Sequence, residues 1–143
     1  GPIVTAIDLD WRKYWELRQE NPLDDAESLL LSNTDYISQI GRKPKSYNDI
    51  EGQFIGLTKI RSDFVLKLIN IWQEMDKLAI YDGQSFEKMY MTSFLQHLIE
   101  IGQPVRAAFV HNGWLEVDTV DDLMLYEELN STNQLKQFID LEG

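Results

Sequence analysis

The chain contains no cysteine. That excludes disulfides, thiol nucleophiles and zinc–thiolate centres, and it fits a reducing compartment. Histidine is almost missing too. His97 and His111 stand far apart, offer no zinc-ligand spacing, and read as structural. The eight glycines include no Gly-x-Gly, so no glycine-rich phosphate loop is written in these residues. No Gly-x-Ser-x-Gly elbow supports a serine hydrolase. Basic residues are outnumbered 13 to 24, for a net charge of −11. The expectation on that ground is no nucleic-acid partner, because backbone phosphates need a basic face. A small phosphate ligand held by a few local cations, or by a metal, stays compatible. No apolar run approaches a membrane span and no basic-then-apolar signal opens the sequence. The expectation is a soluble, cytoplasmic protein with no membrane partner.

What is present argues for a folded globule. Of 143 residues 43% are hydrophobic, with 4 Trp, 6 Tyr and 6 Phe. That is enough to bury a core, and residues 1–143 are read as a single domain. Residues 3–8 form a β-branched strand signal, and residues 11–18 a short helix with Trp11, Tyr14, Trp15 and Leu17 on one side. Asn21-Pro22 breaks it. Residues 27–32 and 36–40 read as a hairpin around a polar turn at 33–35. A basic, proline-containing loop, GRKPKSYN, covers 41–48, and a strand at 51–60 is interrupted by Gly52 and Gly56. Glycine inside a strand marks a bulge or a close approach of backbone to ligand. Ser62 is placed as the cap of a helix to Met75, and residues 85–101 as the longest helix, ended by Gly102 and Pro104. Residues 105–110 read as a strand. The turn signal Asn112-Gly113 suggests that 114–118 pairs with it as a hairpin. Thr119 then caps a helix to about Asn130, and 134–141 reads as a last short helix. Helices alternating with strands predict an α/β or α+β layered domain.

The segment GWLEVDTVDD, residues 113–122, concentrates acids where a strand runs into a helix. On a strand, Glu116 and Asp118 lie on one face. The carboxyl edge of a strand before a helix N-terminus is the usual place for ligands and metal-bridged phosphates in open α/β sheets. Two carboxylates there suit Mg²⁺, a hard ion that takes one or two protein carboxylates plus phosphate oxygens. Asp121 and Asp122 read as acids that start the helix. Arg42, Lys43 and Lys45 are able to meet an anion, although a short basic loop is also ordinary solvated surface. The Trp11/Trp15 pair suits a cation–π cage or plain packing, with packing favoured.

In this order, several segments resemble the nucleotidyltransferases that activate sugar phosphates, phosphocholine or phosphonates, and more closely their cytidylyltransferase-like branch. They are AIDLDWRKYWELR (6–18), NPLDDAESL (21–29), IGRKPKS (40–46), EGQFIGLTKI (51–60) and GWLEVDTVDDL (113–123). The run LQHLIEIGQPVRAAFVHNGWLEVDT also resembles the family's path from a helix, through a strand, to a metal-binding aspartate. The resemblance implies that Asp118 is the second of two aspartates holding catalytic Mg²⁺. It implies that Lys43, in a Lys-Pro segment, contacts the acceptor phosphate, with Arg42 standing where the family often has an acid. Glu51, Gln53 and Gly56 match the strand along the acceptor pocket. Asp8 and Trp11 match a segment near that pocket, where a tryptophan is able to face a choline-like cation. Glu116 is implied as a neighbour of the metal site.

The family's amino-terminal half carries a Gly-rich loop with a following lysine, the base pocket and the first metal aspartate. The resemblance therefore implies a partial mixed-sheet layered domain, the acceptor-binding half of a Rossmann-like nucleotidyltransferase fold. The implied reaction is Mg²⁺-dependent transfer of a nucleotidyl group from an NTP, CTP by the resemblance, to a phosphate or phosphonate acceptor, with release of pyrophosphate. Without the phosphate loop this chain alone is expected to be inactive. Two further readings are an acceptor-binding module without catalysis and a subunit completed by a partner: a complementing amino-terminal half or a second copy.

Overall fold

In a computed structural model of the chain, residues 1–32 and 34–141 are described. The first strand, β1 (Ile3–Asp8), turns Ile3, Thr5 and Ile7 inward, the alternation that a pleated β-branched run dictates. Asp8, at its carboxyl end, is fully buried as well. Helix α1 (Trp11–Arg18) presents Trp11, Tyr14 and Trp15 to the interior. The helix ends at the extended Gln19, and the Asn21 side chain accepts from the Leu23 N–H to cap the single turn α2 (Pro22–Asp25). Pro22 sits in the first turn, where a missing N–H costs nothing.

The expected hairpin is present but shorter, as β2 (Leu29–Leu31) against β3 (Ile37–Ile40). Asn33, in its expected turn, lies outside the described residues. Strand β4 (Gln53–Ile60) follows, then α3 (Val65–Glu74), the small hairpin β5 (Ile80–Tyr81) and β6 (Gln84–Ser85), α4 (Met91–Glu100), β7 (Arg106–Val110) and α5 (Val120–Ser131). The main sheet has the order β4-β1-β7 and is mixed: β1 runs antiparallel to β4 and parallel to β7. Thr5 pairs with Thr58 but Ile7 pairs with Phe54, so one residue of β1, Ala6, stands against three of β4. Gly56 sits in that irregularity at φ +84°, the bulge that glycine in a strand announced. The architecture is thus mixed α/β around a mixed sheet.

One side of this sheet packs on a core that includes Ile3, Ile7, Leu29, Phe94, Leu95 and Leu98. The other side carries Val4, Ala6, Ala108 and Leu57 around an open surface cavity of about 340 Å³. A second core is aromatic: Trp11, Tyr14 and Trp15 of α1 pack with Tyr126 and Leu129 of α5 and with Phe138.

Four expectations are corrected. Residues 114–118 form no strand; Asn112 and Gly113 turn at positive φ, but the chain then crosses to α1 instead of returning along β7. The reason is side-chain hydrogen bonding, since Tyr14 and Tyr126 capture the Glu116 backbone. The helix expected at 85–101 begins only at Met91, because Met89 and Tyr90 are extended and Ser85 belongs to β6. Ser62 caps nothing; it opens a 3₁₀ turn, and α3 starts at Val65. The final helix reduces to a 3₁₀ turn at Leu135–Gln137. The end of α4 behaves as expected: Gly102, at φ +82°, lets Gln103 N–H reach Leu98 O and Gly102 N–H reach Ile99 O.

Candidate active site

The acidic junction is organised around Arg18, the last residue of α1. Its guanidinium donates from Nη1 to Glu116 Oε2 at 3.1 Å and from Nη2 to Asp118 Oδ2 at 3.0 Å. It donates to both oxygens of Asp122, from Nε at 3.0 Å and Nη2 at 3.1 Å. Glu116 and Asp118 therefore share a side as expected, through a common cation rather than through strand geometry. The Arg18 side chain is 5% exposed and that of Asp118 is 59% exposed. Asp118 stands open to solvent just before the N-terminus of α5. Behind it, Thr119 and Asp122 form a capping box. Asp122 Oδ2 also accepts from the backbone N–H groups of Asp118 and Thr119. Asp122 thus does more than begin a helix.

The electrostatics follow from these contacts. Hydrogen bonds from Arg18 hold the Asp122 carboxyl well below the usual carboxylate range. Burial is the largest influence on Arg18 and opposes its charge, but the bonds to Asp122 and Asp118 outweigh it, so its pKa is raised. Burial, then the hydrogen bond with Tyr14, pushes the Tyr126 phenol up. The two tyrosine hydroxyls are 2.5 Å apart. Tyr126 Oη donates to Glu116 O, and Glu116 N–H donates to Tyr14 Oη, which fixes the 116 backbone over α1.

A second group of expected residues gathers at the basic loop. Lys43 Nζ donates to the carbonyls of Leu23 and Asp24, each at 2.8 Å, at the end of α2. It lines an open cavity of about 270 Å³ with Asp24, Asp25, Glu27, Arg42, Asp82 and Tyr90. Burial pushes the Glu27 carboxyl up, Thr92 opposes this by donating to Oε1, and Asp82 and Asp25 add to it. Gln53 is buried and clamps residue 27 from both sides: Nε2 donates to Glu27 O, and Glu27 N–H donates to Oε1. Glu51 accepts from Leu31 N–H at 2.6 Å.

The remaining expected residues lie deeper or elsewhere. Asp8 is turned inward, accepting from Asp10 N–H, Asn112 N–H and Trp114 Nε1. It joins the carboxyl ends of the parallel strands β1 and β7. Trp11 is 4% exposed and packs on Trp15 and Tyr47. The packing alternative describes it. Gly56 faces an apolar cavity of about 230 Å³ with Leu68, Met91 and Phe94, away from Lys43. Helix α1 connects the two polar groups. Trp15 Nε1 donates to Asp25 beside the Lys43 cavity, and Arg18, three residues on along the same helix face, holds Asp118. Sequence reasoning passed over Arg18 and Glu27. A basic residue closing an aromatic-faced helix was the available signal for Arg18.

The fit of a metal is decided by donor chemistry. Asp118 offers a hard, exposed carboxylate, with Glu116 beside it, and this suits Mg²⁺ held largely by phosphate oxygens and water. Among the described residues no group of three or more acidic or histidine side chains is arranged to enclose an ion. No helix among them is long and apolar enough to cross a membrane.

No family profile matches the chain. It is 40% identical over 121 residues to the CTP:phosphoglutamine cytidylyltransferase of Campylobacter jejuni subsp. jejuni serotype O:2. That match takes in 85% of this chain and 47% of the relative, so the chain spans about half the length of the curated protein that it matches. The resemblance to part of a cytidylyltransferase, read from the motifs, is borne out.

Proposed function

We propose that this chain is the acceptor- and metal-binding part of a cytidylyltransferase, with the layering of half a Rossmann-like nucleotidyltransferase domain. The observation that carries the reading is the 40% identity to a protein named for CTP and phosphoglutamine. The reaction joins CTP to a small acceptor bearing a phosphate or phosphonate. An acceptor oxygen forms a bond to the α-phosphorus, the bond from that phosphorus to the pyrophosphate oxygen breaks, and pyrophosphate leaves. Lys43 meets the acceptor phosphate; the α2 carbonyls hold two of its three ammonium donors and leave one for a ligand. Arg42, ion-paired with Glu100, lines the same cavity. Glu51 and Gln53 hold the floor of this region by bonding Leu31 and residue 27, while Asp8 orders the strand ends through Trp114 and Asn112. Trp11 acts as support for Tyr47 and α1 rather than as an open cage. Asp118, with Glu116 adjacent, would hold Mg²⁺, which supplies charge neutralisation at the phosphates.

The uncovered side of the main sheet, at Val4, Ala6, Ala108 and Leu57, favours action together with further polypeptide that supplies the nucleotide-binding loop. The test supplies CTP, Mg²⁺ and phosphoglutamine, phosphocholine or 2-aminoethylphosphonate, and detects pyrophosphate. The chain is assayed alone and mixed with the part of the Campylobacter relative that it does not match. Turnover is expected only in the mixture, and acceptor binding to the chain by calorimetry is expected to weaken in Lys43→Ala. Absence of both binding and turnover for every acceptor would sink the reading. Turnover by the chain alone would overturn its need for a complement.

A further inference from the structure

Arg18 carries a full charge on a side chain only 5% exposed, and it divides that charge among three carboxylates unequally. Asp122 takes it with both oxygens and is itself buried, anchored by two backbone N–H groups and the capping box. Asp118 takes a single bond from Nη2 and remains 59% exposed. The guanidinium lies beside the Tyr14 ring, with Cζ 5.4 Å from its centroid. Arg18 is therefore moored to the protein through Asp122 and Tyr14, while its single bonds to Glu116 and Asp118 are the legs that open to water, Asp118 being the more exposed of the two. Three carboxylates meeting one guanidinium also leave the junction electronegative, which attracts a cation.

We propose that Arg18 is a positioning residue: the resident counter-ion of Asp118, which orients that carboxylate before the N-terminus of α5 and yields it when a divalent cation binds. This rests on the reading of Asp118 as a Mg²⁺ ligand. The cation replaces one leg of the arginine network and leaves the Asp122 pair intact, so the backbone at 118–122 keeps its shape in both states. Removing the guanidinium leaves Glu116, Asp118 and Asp122 without their shared positive charge, so divalent affinity rises even as the geometry loosens.

The experiment uses the full chain and Mn²⁺ as probe, followed by electron paramagnetic resonance, for wild type, R18K, R18Q and D118N. Arg18→Gln is expected to bind Mn²⁺ about tenfold more tightly than wild type, with Arg18→Lys close to wild type. Asp118→Asn is expected to lose the site. Wild type labelled with ¹⁵N supplies a readout that does not depend on the variants folding. On adding Mg²⁺, the Arg18 Nη signals are expected to shift and saturate while the Nε–H signal, bonded to Asp122, holds its position. Equal Mn²⁺ affinity in wild type and R18Q, or Nη signals that ignore a bound Mg²⁺, overturns the role of Arg18 and leaves Asp118 as a ligand. Mn²⁺ binding that Asp118→Asn does not reduce overturns the metal reading itself, and the role of Arg18 with it.

Discussion

Asp122 spends two oxygens on Arg18 and on two backbone N–H groups, so a neutral replacement leaves a buried cation with only the solvent-facing Glu116 and Asp118 as partners. Asp122→Ala is expected to destabilise the chain by about 3 kcal/mol, read as the shift of its urea midpoint. A loss under about 0.5 kcal/mol, ordinary for a surface site, would show the network to be slack. The pH dependence has a definite sign. The folded-state pKa of Asp122 is depressed, so its contribution is fully present above the ordinary aspartate value near 3.8 and is lost as pH falls through the lower folded value. Glu27 has the opposite sign. Its folded pKa is raised, so its contribution is present below the ordinary glutamate value of 4.5 and disappears as pH rises through the folded value. Glu27→Gln keeps an acceptor for Thr92 and removes the cost of ionisation. Its melting temperature, relative to wild type, is expected to be higher at pH 7 than at pH 4. A variant that is uniformly less stable at both would refute that assignment.

Among the elements, the ones announced by local chemistry formed where they were read. The period-2 run of β1, the aromatic stripe of α1, the Asn21-Pro22 break, the Gly102 end of α4 and the Thr119 cap all depend on neighbours in sequence. The misreadings share a cause. Phe86, Tyr90, Phe94 and Leu98 recur every four residues, yet Phe86 reaches the core by packing on Trp72 from a 3₁₀ turn, with centroids 4.4 Å apart. Residues 114–118 alternate like a strand but are tied down by tyrosines about a hundred and about ten positions away. The candidate site was legible as an acidic junction and a basic loop. Its centre, Arg18, was not, because an arginine becomes buried only when distant carboxylates meet it. Two glycines give an element-scale test. Both have positive φ, but an added Cβ at Gly56 meets open space, whereas at Gly41 it falls 2.7 Å from Thr92 Cβ. Gly56→Ala is expected to cost about 1 kcal/mol from backbone conformation alone. Gly41→Ala should cost clearly more, since α4 must shift; equal losses in chemical denaturation would refute this.

At the scale of the whole molecule, apolar surface lies open on more than one side. Leu57 is 66% exposed, Leu66 76% and Trp72 38%. Such surface is normally covered in a working protein. The isolated chain is expected to associate with rising concentration in light scattering, and Leu57→Lys with Leu66→Lys to reduce this. A monomer persisting to high concentration would show these side chains to be tolerated singly. The sheet holds a further consequence. Val4 of β1 pairs with Arg106 of β7, so the central strand finds its parallel neighbour only across most of the chain. During translation β1 leaves the ribosome long before β7 exists. Closing so long a loop adds little to the equilibrium but slows the search for the native pairing. Until then Ile3 and Ile7 have no finished core to enter, and the nascent chain offers chaperones an apolar strand with an open edge.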